Sequence, residues 1–147
     1  MKEPLTIRGH HLLCIQGFRG LGYSSEFISN FTQIVKTIHS NQNVYLKLVC
    51  NADDICKCCP HLQEGKCRKY DDAVEHVMSM DLAVLGLLQI SSDSIISAGE
   101  AYARLAKVVK RNGAETIIER ICTGCEWMSL GFCVEGLKQL AFARNQA

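Results

Sequence analysis

Apolar and polar residues alternate along this chain in two rhythms, a helical one and a strand one, and both fade where cysteines gather. Residues 5–8 read as a short extended segment, and the compact RGHHLLC run follows at 8–14. Gly17, Gly20 and Gly22 make a flexible turn around Phe18 and Arg19. Ser24 or Ser25 is placed to cap the next helix, which carries Phe27, Phe31, Ile34, Val35 and Ile38 on one face. Asn41 to Asn43 stop it. Residues 44–50 then alternate as a strand, with Val44, Leu46, Leu48 and Cys50 on the same side. Strand, helix and strand in this order predict a small βαβ-like opening.

Residues 51–69 lose periodicity and form a cysteine-rich loop. Helical spacing resumes at Asp71 or Asp72, with Val74, Val77, Met78, Leu82, Leu85 and Leu88 on one face and Asp81 interrupting it. Residues 91–94 break that helix. A second long helix is expected over 94–111, with Ile95, Ala98, Tyr102, Leu105 and Val109 in register, ended by Asn112-Gly113. A short helix through Ile117, Ile118 and Ile121 leads to a second cysteine-rich stretch, and a last helix carries Val134, Leu137 and Leu140. Two prolines and no low-complexity tract leave one domain over 1–147: α+β, predominantly α-helical, with two cysteine-rich metal-binding loops.

Composition narrows the function classes. Sixteen Lys plus Arg against fifteen Asp plus Glu give a formal charge of +1. That balance lacks the basic face with which a general nucleic-acid binder displaces phosphate counterions. No run approaches the ~20 apolar residues of a membrane span. The start, MKEPLTIRGHH, is polar where a signal peptide has its apolar core, so a cytoplasmic protein is expected. In a reducing compartment nine cysteines point to metal ligands or redox groups before disulfides.

The cysteines are patterned. Cys56-x2-Cys59-x7-Cys67, with Cys58 as an extra thiol, is matched by Cys122-x2-Cys125-x7-Cys133, and a glycine (Gly65, Gly131) stands two before the third cysteine in each. C-x2-C suits metal binding because one tight turn brings two thiolates to an ion at ~2.3 Å each. A third cysteine after a short excursion completes three corners. Burial in a core is the ordinary alternative; it suits Cys50 on the inner side of a strand and suits the two loop triads badly. Each triad needs a fourth ligand, and Cys14, Cys50, Cys58, His10, His11 and His61 are the candidates. Three cysteines with a histidine would make a closed zinc site, whereas four cysteines serve zinc or an iron–sulfur cluster equally. Spacing leaves open whether there are two sites or one.

His10, His11 and Cys14 stand at i, i+1 and i+4, so His10 and Cys14 share a face of a helical turn. Cys14 is read as the fourth ligand of a triad, and the histidines as helix-start residues bonded to a nearby carbonyl or to a ligating sulfur. RGHHLLCIQGFRGLGYSSEF, followed by NADDIC and CTGCEW, resembles a family of small uncharacterised bacterial and archaeal proteins associated with iron–sulfur binding. The resemblance runs over nearly the whole chain. It implies an iron–sulfur cluster, [4Fe-4S], ahead of zinc, and directs attention to His10, His11, Cys14, Asp53, Asp54, Cys56, Cys67, Cys122, Cys125, Glu126, Trp127 and Cys133.

Among the supporting residues, Asp53-Asp54 reads as turn chemistry. Trp127 is either a shield for a cluster or simply a large core residue. Arg8 and Arg19 flank the HHLLC segment, where a guanidinium would offset a negative cluster. Asp81 reads as a helix cap, and His39 and His76 as solvated. Residues 107–111 place cations at a helix C-terminus, where the macrodipole favours them. No Gly-rich phosphate loop, H-E-x-x-H or G-x-S-x-G turn indicates an enzyme. The reading is a metal protein. It is either an iron–sulfur carrier or sensor with a redox partner protein, or a zinc-stabilised adaptor whose sites use four cysteines or three cysteines and a histidine.

Overall fold

The structure is a computed structural model that describes residues 3–69 and 71–145. Strand β1 (Leu5–Arg8) lies parallel to β2 (Tyr45–Val49), pairing Leu5 with Leu46 and Ile7 with Leu48. Two helices join them, α1 (His11–Gly17) and α2 (Ser25–Ser40), so the βαβ-like opening is present with a double helical crossover. Ser24 caps α2 by accepting the Phe27 amide at 3.1 Å, and Phe27, Phe31, Ile34 and Ile38 face inward as the spacing required.

The cysteine-rich loop 51–69 has little regular structure. It contains one 3-10 turn, Cys56–Cys58, and a hairpin of two-residue strands, β3 (Leu62–Gln63) and β4 (Lys66–Cys67), joined by Glu64-Gly65 with both residues at positive φ. Helix α3 (Ala73–Leu88) follows. Its buried face is Ala73, Val77, Met80, Asp81, Val84, Leu85 and Leu88, while Met78 and Leu82 are exposed. The apolar face is thus turned from the expected one, and Asp81 lies at its centre instead of interrupting its edge.

The first sheet has a third strand where a helix was expected. Residues Ser94–Ser97 form β5, antiparallel to β2 with Leu46 opposite Ile96, and the helix α4 begins only at Ala98 and runs to Asn112. Two physical reasons set that boundary. Ile95 and Ile96 are β-branched and meet an edge of β2 that β1 leaves open. Ser97 is then a proper cap, its hydroxyl accepting the Glu100 amide at 3.1 Å, which Ser94 could not be for a helix starting at 98. Helices α4, α5 (Ala114–Ile121) and α6 (Phe132–Asn145) complete a mostly helical α+β domain with a small mixed sheet.

One core joins these layers. Ile7, Leu12, Leu13, Ile15, Ile38, Leu46, Leu48, Leu105, Ile118 and Leu137 are completely or almost completely buried, each burial being worth ~1.5–3 kcal/mol in transfer free energy. Helices α1 and α6 approach with backbone against backbone. A Cβ on Gly17 would stand 2.6 Å from the Cys133 Cα, and one on Gly136 would overlap the Gln16 carbonyl. Only glycine fits at these two positions, and the contact brings Cys133 against the helix that carries Cys14.

Candidate metal centre

Two buried aspartates organise the site. The outer edge of β1 has no strand partner among the described residues, and Asp53-Asp54 covers it: Thr6 N–H donates to Asp54 Oδ2 at 2.8 Å, and Arg8 N–H to Asp53 Oδ2 at 2.7 Å. Asp53 Oδ1 also accepts the Cys56 amide at 2.9 Å, tying the first C-x2-C to the strand. From the other side Asp81, fully buried on α3, accepts Arg8 Nε at 2.9 Å and Nη2 at 2.8 Å, and the His10 amide at 3.0 Å. Turn residues were expected at 53–54 and a cap at 81. The turn role holds for Asp53 through Cys56, but both acids do more, and Asp81 caps nothing. An acidic residue at the centre of an apolar helical face demands a buried cationic partner, and that signal was legible.

The same carboxylates orient the two histidines. His10 Nδ1 lies 2.7 Å from Asp81 Oδ1, and His11 Nδ1 lies 2.8 Å from Asp53 Oδ2. An ionised carboxylate only accepts, so each imidazole donates from Nδ1 and, when neutral, keeps a lone pair on Nε2. Burial lowers the His10 pKa to about 4, assisted by the neighbouring His11 and Arg8 and opposed by Asp81. His10 is therefore neutral near pH 7 and its Nε2 cannot donate to a sulfur. The expected bond to a backbone carbonyl is replaced by a bond to a carboxylate. Asp53 is pushed upward by burial, but His11 and the Arg8 and Cys56 amides outweigh this and hold it well below the usual carboxylate range. Carboxylate-backed imidazoles of this kind are the common form of metal-binding histidine.

The thiols fall into two groups. Cys14, Cys122, Cys125 and Cys133 line one cavity of about 140 Å³ together with Leu13, Phe18, Phe31, Trp127, Met128 and Phe132. Burial drives the Cys14 thiol well above its ordinary pKa, and Cys133, Cys122 and Cys125 add to the effect by their proximity. Cys122 is pushed up to about 12 by burial and by Cys125 and Cys133, and Cys133 is raised by burial and Cys125. Thiols raised in this way, Cys14, Cys122 and Cys133, release their protons together most readily to a cation. Cys14 therefore stands with the second triad, the one farther from it along the chain.

Cys56, Cys59 and Cys67 line a second cavity with Arg8, His10, His11 and His61, and Cys125 borders both. The two C-x2-C turns close the same backbone bond, Cys59 N–H to Cys56 O and Cys125 N–H to Cys122 O, each 2.9 Å. Cys58 is exposed and does not line either cavity, and Cys50 packs at the edge of the core. His76, expected in solvent, lines the second cavity; His39 shares a hydrogen bond with the Tyr102 hydroxyl at 3.2 Å. Two donor groups have ligand atoms all within 4.8 Å of one another among the described residues: His10, His11 and Cys14, and His11, Asp53 and Cys56.

Tyr23 joins the two loops. Its hydroxyl accepts Lys69 Nζ at 2.7 Å and Trp127 Nε1 at 3.2 Å, and Lys69 Nζ also meets Glu126 at 2.6 Å. Trp127 thus lines the thiol cavity and is held there by a polar tie. Arg8 Nη1 points toward Cys56 Sγ at 3.8 Å, whereas Arg19 is exposed and lies over the Phe132 ring.

The fold and site define a cysteine-rich, mostly helical α+β protein whose His and Cys groups are arranged so that they could hold metal. A family model for a protein of unknown function, DUF1284, matches residues 22–131, and the chain belongs to that family. The matched stretch holds seven of the nine cysteines and leaves out Cys14 and Cys133. No curated protein and no solved structure matches the chain. No helix among the described residues is long and apolar enough to cross a membrane.

Proposed function

We propose that this chain is an iron–sulfur protein that carries a [4Fe-4S] cluster on Cys14, Cys122, Cys125 and Cys133, and that it transfers electrons to a partner protein or reports redox state. One observation carries the reading: four thiols from α1, the α5–α6 connection and α6 converge on a single cavity. An all-sulfur donor set suits a cubane, with iron supplying the positive charge that lets four neighbouring thiols ionise together. The walls favour iron–sulfur over zinc. Phe18, Phe31, Trp127 and Phe132 give the cavity an apolar wall, and limiting water there would adjust the potential of a cluster and protect it from oxidation. The resemblance of RGHHLLC and CTGCEW to iron–sulfur-associated proteins points the same way.

Anaerobic purification tests the proposal. Brown protein with iron and acid-labile sulfide is expected, and Cys14→Ala, Cys122→Ser and Cys125→Ser should each lose most of both. Cys50→Ser should retain them. Colourless protein without sulfide, obtained from iron-replete anaerobic cells, overturns the reading. Full iron and sulfide in Cys14→Ala removes Cys14 from the ligand set.

A further inference from the structure

We propose that Cys56, Cys59, Cys67 and the imidazole of His11 form a second, separate metal site that holds a structural zinc ion. The site shares no ligand with the four-thiol set and does not depend on it.

The loop itself supplies the first reason. Between Cys56 and Lys69 no residue is fully buried, and the regular structure is a single 3-10 turn and strands of two residues. A two-stranded hairpin of that size is marginal in water. Yet its turns are closely defined: Leu62 N–H donates to Cys59 O at 3.1 Å, Arg68 N–H to His61 O at 2.8 Å, and Leu62 pairs with Cys67. Beyond the Tyr23 tie at Lys69, so little apolar burial holds this segment that another tie is called for, and metal coordination supplies folding free energy directly. The second triad differs, because Cys122 and Cys133 adjoin α5 and α6 and are held by the core.

Donor chemistry gives the second reason. The Cys56-x2-Cys59 turn presents two sulfurs into the second cavity, and the backbone N–H groups of His61 and Leu62 approach the Cys59 sulfur. Cys67 on β4 faces the same cavity. The fourth donor comes from outside the loop. His11 has its Nδ1 fixed on Asp53, lines the cavity, and forms with Asp53 and Cys56 a group whose donor atoms all lie within 4.8 Å of one another. Asp53 is already engaged by His11 and by two amides, so it stands behind the imidazole as an orienting group. Carboxylate, histidine and zinc in series is a recurrent arrangement. Three thiolates and a neutral imidazole make a closed tetrahedral zinc set, and they leave one net negative charge facing Arg8.

Metal analysis of the whole chain from iron- and zinc-replete cells, set beside the four-thiol variants, tests this inference. One zinc per chain is expected. Cys59→Ser, Cys67→Ser and His11→Ala should lose zinc and keep iron, whereas Cys122→Ser should lose iron and keep zinc. Cobalt added to zinc-free protein should give the visible bands of tetrahedral cobalt bound to thiolates, altered but retained in His11→Cys. Far-UV circular dichroism of Cys67→Ser checks that the core still folds, and hydrogen exchange should then quicken in 51–69 alone. Zinc absent from the wild type, or undiminished in Cys59→Ser and Cys67→Ser, overturns the site. Iron lost in Cys67→Ser but kept in Cys122→Ser overturns its assignment to zinc, and full zinc in His11→Ala overturns the fourth ligand.

Discussion

His10 Nδ1 lies 2.7 Å from Asp81 Oδ1, although 71 residues separate them in the chain. The same carboxylate binds Arg8 through two nitrogens, so one buried acid holds both the cation and the first histidine of the RGHH turn. Removing it strands Arg8, only 4% exposed, without its countercharge. Asp81→Ala should cost about 3–5 kcal/mol in urea unfolding, the usual consequence of breaking a buried pair from one side. Asp81→Asn, which retains an acceptor for the His10 amide, should cost less. A midpoint unchanged in Asp81→Ala would show that Arg8 finds solvent on its own.

The α1–α6 contact makes a second prediction. Gly17→Ala and Gly136→Ala each place a methyl into backbone of the facing helix and should separate Cys14 from Cys133. Both should unfold at lower urea, and, if the proposed cluster is present, its iron should fall with them. Gly86 on α3 has open space around its missing Cβ, so Gly86→Ala should instead stabilise by roughly 0.5–1 kcal/mol through helix propensity. Stabilisation in all three would contradict the close approach.

Tyr23 is expected to hold the two cysteine loops together. Tyr23→Phe keeps the ring and removes the acceptor for Lys69 and Trp127. A loss of about 1–2 kcal/mol is expected from these bonds. The chain has one tryptophan, so the fluorescence of Trp127 should shift to longer wavelength as its indole N–H turns to water. An unshifted spectrum would place the tie elsewhere.

His39 supplies a pH test away from the cysteines. Burial lowers its pKa from 6.5 in the fold. The unfolded chain therefore binds the proton more tightly, and stability must fall as pH drops through about 6.5. His39→Gln removes that contribution, so the urea midpoints of variant and wild type should draw together on acidification from about pH 8 to about pH 6. A constant gap between them would mean that His39 titrates alike in both states.

The sequence by itself determined the local periodicities and the inventory of candidate ligands. Phe27, Phe31, Ile34 and Ile38 repeat at helical spacing, and Leu46 and Leu48 alternate, because side-chain direction follows from backbone geometry within a few residues. The paired C-x2-C-x7-C spacings were legible for the same reason, since a tight turn needs only its own residues. Tertiary structure decided everything that depends on a partner distant in the chain. Residues 94–97 became a strand because β2 offered an edge, and Asp81 turned inward because Arg8 and His10 awaited it. Cys14 joined the second triad and His11 faced the first because Gly17 let α6 lie against α1 while Asp53 fixed the imidazole. Spacing carries no record of such pairings. They arise when buried polar groups must find countercharges and hydrogen bonds inside one shared core.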